Sequence, residues 1–168
     1  MSLARASEMA ARVDGPGWTP QERGVLCFIV KEGRILLIEK KRGLGAGKVN
    51  GPGGRIEKGE TAEQAAVRET QEEVGITPKG VSWAGELSFQ FRDGYSLHCT
   101  VFRADGWDGQ LIETDEAKPF WMGTDQIPYE RMWADDAHWM PRLLAGEKFR
   151  GWFEFAEDRM EWFRMEQA

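Results

Sequence analysis

Apolar residues in this chain come in short runs broken by glycine and charge. GVLCFIV (24–30) and RILLIEK (34–40) flank Lys31-Glu32-Gly33. They predict a pair of strands buried on both faces, because neither run alternates with polar residues. Residues 83–92 and 95–103 flank Asp93-Gly94, a dipeptide that favours the positive backbone angles of a tight hairpin. Residues 118–122 predict one more strand, and 149–155 with 159–165 a last hairpin. Helical spacing is confined to two stretches. Ala62, Ala66, Thr70 and Val74 recur every fourth residue, Thr61 and Gln64 stand at capping-box spacing, and Gly75 offers a left-handed stop. Residues 136–145, ending at Gly146, predict a second helix strained in its middle by Pro141. Strands outnumber helices, and hairpins are mixed with a helical crossover. The pattern therefore predicts an α/β (α+β) domain, a mixed sheet with helices packed on it.

Between the second strand and the first helix lies KRGLGAGKVNGPGGR (41–55), with six glycines and four basic side chains. Such a loop lets backbone approach a ligand closely, and Lys40, Lys41, Arg42, Lys48 and Arg55 are cations suited to phosphate oxygens. The helix that follows carries Glu69, Glu72 and Glu73 on one side, since steps of three and four residues land close together. Like charges at that spacing cost an isolated helix roughly 0.2–0.5 kcal/mol per pair, partly offset by Arg68. A solvated acidic face is the ordinary explanation. The alternative is a site for a hard divalent cation, which prefers oxygen ligands. Carboxylates next to a cationic glycine loop favour that alternative and point to phosphoryl chemistry.

Composition narrows the setting. The chain has 168 residues, is 30% charged and has a net charge of −6. That length suits one domain, expected over 21–168 behind a loosely held leader over 1–20. The negative balance argues against a nucleic-acid groove but not against phosphorylated small molecules, because a bound cation inverts the local sign. Cys27 and Cys99 sit among apolar neighbours and predict buried thiols, and with only His98 and His138 there is no zinc spacing. No apolar run matches a membrane span or a signal peptide, so a cytoplasmic protein, favoured as a monomer, is the expectation.

Gly54, Glu60, Arg68-Glu69, Glu72-Glu73, Gly75 and Ile76 together resemble the signature of the Nudix hydrolases. Every glycine and charged position of the pattern is matched, and Thr70 stands where an aliphatic residue is usual. The resemblance implies a loop-helix-loop metal motif on an α/β/α sandwich and cleavage of a nucleoside diphosphate linked to another group. It implies that Glu69, Glu72 and Glu73 hold Mg2+, with Mn2+ as a substitute, helped by the Gly53 carbonyl. Arg68 would orient a glutamate, and Glu60 would serve outside the ligand set. Glu72, Glu73 and the remote Glu116 are the alternatives for the general base.

The likeness extends beyond this box. LLIEKKRGLGAGKVNGPGG and TDEAKPFWMGTDQIPYERMWADDAHWMPRLL are similar to the oxidised-purine nucleoside triphosphatases of that family. This implies a base pocket from Asn50, Trp133, Asp135 and Asp136. Asparagine offers both donors and an acceptor to a purine edge, and a tryptophan face offers stacking. Adjacent aspartates sharing one pocket would raise each other's pKa, so that one presents a proton. The competing explanation of Trp-Ala-Asp-Asp is a helix start, with an aspartate as cap and Trp133 in the core. Phe89, Phe91 and Leu97 are further wall candidates. Leu44 and Val49 stand where the similar enzymes carry an aromatic residue and a tryptophan, which reduces aromatic area near the base.

The leading expectation is a Mg2+-dependent pyrophosphohydrolase of purine nucleoside triphosphates, oxidised ones such as 8-oxo-dGTP or 2-hydroxy-dATP included. Its alternatives are a pyrophosphatase of ADP-ribose, a nucleotide sugar or a dinucleoside polyphosphate, and a nucleotide sensor without catalysis.

Overall fold

The computed structural model describes residues 11–168. They form β1 (Glu22–Lys31), β2 (Arg34–Lys40), β3 (Val49–Asn50), β4 (Gly53–Arg55), helix α1 (Ala62–Val74), β5 (Thr77–Lys79), β6 (Ser82–Phe91), β7 (Ser96–Ala104), β8 (Gly106–Asp108), β9 (Ala117–Gly123), helix α2 (Asp136–Leu144), β10 (Phe149–Ala156) and β11 (Arg159–Gln167). A 3-10 turn at Tyr129–Arg131 precedes α2. The main sheet runs β11-β10-β6-β7-β1-β2-β3, with β4 added on β1 and β9 on β2, while β5 and β8 pair separately. This is the mixed α+β fold that the apolar pattern predicts.

β1 carries apolar side chains on both faces because both faces are covered. Val25, Cys27 and Ile29 pack with Ala65, Ala66 and Val74 of α1. Phe28 and Val30 pack with Trp139, Met140 and Leu143 of α2 on the other side. Helix, sheet and helix thus stack in three layers, and each fully buried large side chain contributes roughly 1.5–3 kcal/mol. Cys27 and Cys99 are free and buried, as their neighbours imply.

The first two apolar runs are less of a hairpin than their sequence suggests. β1 meets β2 only at Val30↔Ile35 and Lys31↔Arg34. From Glu22 to Ile29 it pairs in parallel with β7, and at Gly24–Leu26 its other edge takes β4. β2 finds its full partner in β9, from Arg34↔Gly123 to Lys40↔Ala117. The parallel pairing leaves β1 central, and the β4 pairing pins the end of the glycine loop to it.

Helix α1 starts and stops as its sequence dictates. The Thr61 hydroxyl accepts from the Gln64 N–H at 3.1 Å and the Gln64 side chain accepts from the Thr61 N–H at 2.9 Å. Gly75 closes the helix in the left-handed region at φ 79°. Thr70, at the usually aliphatic position, is fully buried and donates its hydroxyl to the Ala66 carbonyl at 2.7 Å. Its polarity is satisfied within the helix, so the departure leaves the packing face intact.

Of the expected leader, residues 1–10 lie outside the described part. Residues 11–20 lie against β6 and β11. Val13 is buried, Asp14 pairs with Arg164 at 3.2 Å, the Arg12 guanidinium sits 4.5 Å over the Trp162 ring, and the Trp18 indole donates to Gln90 at 2.9 Å. No helix among the described residues is long and apolar enough to cross a membrane.

Candidate active site

A cavity of about 350 Å³ opens beside the glycine loop and runs along β1 toward the start of α2. Glu69, Glu73 and Glu116 line one end, and Asp135, Asp136, Asn50 and Trp133 line the other. Lys40, Leu44, Phe89, Phe91 and Leu97 also face it. All seven residues expected to touch substrate therefore share one cavity with the acidic end.

The acidic end is built by two elements. Glu69 and Glu73 stand one turn apart on α1, and Glu116 comes from the loop before β9; their carboxylate oxygens lie within 4.8 Å of one another. Glu73 is only 7% exposed. Burial first, and then the neighbouring Glu69, push its pKa up to about 8, against a bond from the Gly53 backbone and the pull of Lys40. Burial likewise raises Glu69. Burial lowers Lys40, while the three glutamates act on it in the opposite sense. Oxygens sharing one ion at about 2.1 Å are at most about 4.2 Å apart, so a slight turn of one carboxylate lets this group hold a divalent cation. The donors are all hard oxygens, and their crowding is the kind that a cation relieves.

Gly53 lines the same cavity, and its backbone acts to lower the Glu73 pKa. Glycine at position 54 leaves room for the Glu69 carboxylate: a Cβ there would lie 2.3 Å from its Cδ and push it aside. Glu72 lies outside the three-carboxylate group. Its side chain is 54% exposed and takes a 3.2 Å bond from Arg68. Arg68 holds the motif together. It donates to both oxygens of Glu60 at 2.7 and 2.9 Å, to Glu69 at 2.8 Å and to the Arg55 carbonyl at 2.9 Å. The guanidinium lowers Glu60 to about 2.

At the other end, Asp135 and Asp136 are 2% and 3% exposed. Asp135 occupies the position before α2 yet makes no side-chain cap bond. Its carboxylate instead accepts from the Trp139 indole at 2.8 Å. Oδ2 of Asp136 is buried with no hydrogen-bond partner among the described residues. Burial raises both groups, and the adjacent Asp135 adds to the rise at Asp136. The aspartates thus line the cavity rather than cap the helix. The side-chain Oδ1 of Asn50 accepts from the Gly51 N–H at 2.8 Å.

Trp133 meets Phe91 and Phe155 edge-on, at 5.9 and 5.5 Å between centroids. Lys48 lies 5.2 Å over its ring, and a Cβ at Gly45 would come within 2.6 Å of its indole nitrogen. The glycine loop therefore folds down onto this tryptophan. Phe89 stacks on Phe153 at 5.4 Å, Leu44 is exposed at the mouth, and Val49 is wholly buried in the core.

Two residues of the wall, Glu22 and Tyr95, were missed from sequence, and they meet Arg55 of the cationic loop. Tyr95 donates its hydroxyl to Oε2 of Glu22 at 2.8 Å, and Arg55 reaches the same oxygen at 2.9 Å. All three face the cavity. The signal for Glu22 was the alternation of β1, in which Glu22, Gly24 and Leu26 fall on one face.

Known proteins resemble this chain in sequence and in fold. The NUDIX domain family model matches residues 20–143. An oxidized purine nucleoside triphosphate hydrolase of Danio rerio is 46% identical over 131 residues, covering 77% of this chain and 84% of that protein. The protein of the same name from Mus musculus is 41% identical over 133 residues, covering 79% and 85%. The crystal structure of a MutT protein from Bacillus halodurans superposes with a TM-score of 0.78 at 27% identity, covering 86% of this chain and 97% of that one.

Proposed function

The chain belongs to the NUDIX family, and from that premise we propose that it is a Mg2+-dependent pyrophosphohydrolase of purine nucleoside triphosphates, oxidised purines among them. The observation that carries this reading is the joining of two unlike sites in one cavity. The three-carboxylate cluster with Lys40 suits a polyphosphate and its cation, and the buried aspartate pair with Asn50 suits a purine edge. The names of the similar proteins from Danio rerio and Mus musculus support the same substrate class.

Glu69, Glu73 and Glu116 would hold the cation, with Glu72 joined to Glu69 through the Arg68 that both bind. When bound, Mg2+ supplies Lewis acidity and neutralises phosphate charge. The protein's own groups do the rest. Arg68, itself held by Glu60, fixes the direction of Glu69. Lys40 adds a positive charge where the chain of phosphates enters. A carboxylate of the cluster accepts the proton of the attacking water. A water oxygen attacks phosphorus, the phosphoanhydride bond breaks, and nucleoside monophosphate and pyrophosphate leave. At the base end, Asp136 with its unpartnered oxygen and Asp135 present one shared proton. A pair that can donate as well as accept suits purines whose edges differ by oxidation or tautomer.

The test is turnover of a panel with Mg2+: dGTP, dATP, 8-oxo-dGTP, 2-hydroxy-dATP, ADP-ribose and a dinucleoside polyphosphate. Pyrophosphate released from the triphosphates, fastest from oxidised purines, is expected. Turnover of ADP-ribose or the dinucleotide in preference would replace this substrate class. Binding with no turnover in Mg2+ or Mn2+ would make the protein a sensor.

A further inference from the structure

Glu69 and Glu73 keep their spacing because one helix carries both, but Glu116 arrives more than forty residues later on an irregular loop. Something must hold that loop at the helix end. The last carbonyls of a helix lack intrahelical partners. The 110–116 loop supplies them here. Ile112 donates its N–H to the Val74 carbonyl at 3.0 Å, and the Thr114 hydroxyl donates to the Glu73 carbonyl at 2.8 Å. The same hydroxyl oxygen accepts from the Glu116 N–H and the Ala117 N–H, each at 3.3 Å. One side-chain atom is therefore bonded to the backbones of two of the three clustered glutamates. Lys41 braces the loop from the glycine-loop side. Its Nζ donates to the Thr114 carbonyl at 2.7 Å and pairs with Glu113 at 2.6 Å, and its N–H donates to the Glu116 carbonyl at 3.0 Å.

We propose that Thr114 is the positioning residue of the cation site, setting the distance between Glu116 and the helix glutamates through its hydroxyl. The inference rests on the metal-site reading above. Thr114 has no place in the base pocket, so its removal acts on cation binding and on the chemical step rather than on purine recognition. Groups that orient metal ligands typically change metal affinity by about 10–100-fold when removed.

The test measures Mn2+ binding to the nucleotide-free protein by electron paramagnetic resonance, alongside steady-state kinetics. Thr114→Val keeps the shape and deletes the hydroxyl. It is expected to weaken Mn2+ by about tenfold or more, and to lower kcat with little change in KM. Thr114→Ser, which keeps the hydroxyl, is expected to restore both. Gly146→Ala strains a left-handed residue at φ 77° beyond the far helix and serves as a control for lost stability, with Mn2+ affinity unchanged. If Thr114→Val does not fold, Thr114→Ala is held to the same criteria. Wild-type Mn2+ affinity in a folded hydroxyl-free variant overturns the inference, as does an equal loss in Gly146→Ala. A wild-type protein that binds no Mn2+ would overturn the metal site itself, a different failure from the first.

Discussion

Asp136 is a single residue with two opposed demands on it. Its Oδ2 is buried without a partner, and a buried polar group left unsatisfied costs about 1–3 kcal/mol. Such a cost is sustained where a ligand completes the bond. Asp136→Asn keeps the shape and removes the charge that Asp135 and burial both oppose. The variant should melt at a higher temperature than the parent near pH 8, with stability raised by about 1 kcal/mol. It should also select less among purines, because an amide cannot exchange donor for acceptor by losing a proton. Thermal melts and competitive kcat/KM with 8-oxo-dGTP against 2-hydroxy-dATP read both effects. A lower melting temperature together with an unchanged substrate ratio would remove the shared-proton assignment.

Helix α1 shows what sequence could and could not give at the scale of an element. Its cap, its stop and its small-residue face were written in Thr61, Gln64, Gly75 and the four-residue repeat, because local spacing determines them. The division of labour among its glutamates was not, since Glu72 and Glu73 are adjacent and only packing separates them. Glu73 faces inward against Gly53 and Lys40, while Glu72 faces solvent beside Arg68. Removing the inward charge should therefore cost more. Glu73→Gln is expected to reduce kcat by about a thousandfold, and Glu72→Gln by at least tenfold less, in line with the few kcal/mol that one electrostatic group contributes to a barrier. Equal losses in the two variants would place Glu72 in the cluster after all. The sheet divides similarly. Both hairpins around Gly94 and Glu157 were legible from turn residues and alternation. The pairing of β1 with β7, and so the meeting of Glu22 with Tyr95, depends on a parallel contact across more than seventy residues. No local pattern specifies such a contact. The two-residue β3 and three-residue β4 are likewise products of the sheet edge they join.

Across the whole molecule, one cavity has acidic groups crowded at both of its ends in a chain of net charge −6. Free of cation, these groups make stability depend on pH in a definite direction. Glu73 titrates near 4.5 when unfolded and near 8 when folded, so the folded protein binds more protons between those values. Stability then falls as pH rises through that window, by up to about 1.4 kcal/mol per pH step for one such group. The raised Glu69, Asp135 and Asp136 act with the same sign. Glu60 acts in the opposite sense. Its folded pKa of about 2 gives stability that is present above its unfolded pKa and lost as pH falls toward 2. The metal-free protein is thus expected to melt highest on the mildly acid side of neutrality. A divalent cation binds only the deprotonated carboxylates, so its stabilisation should grow with pH and flatten the decline. Melting temperatures in a chelator and in excess Mg2+, taken from about pH 5 to about pH 8.5, compare the two directly. The gap between the curves should widen toward the alkaline end. Because the aspartate pair lies at the other end of the cavity, Asp136→Asn should lessen the decline in chelator and leave that widening gap in place. Glu73→Gln should abolish most of the gap. A constant gap in the parent protein would mean that the cation does not compete with protons at Glu73, and the cluster would not be where it binds.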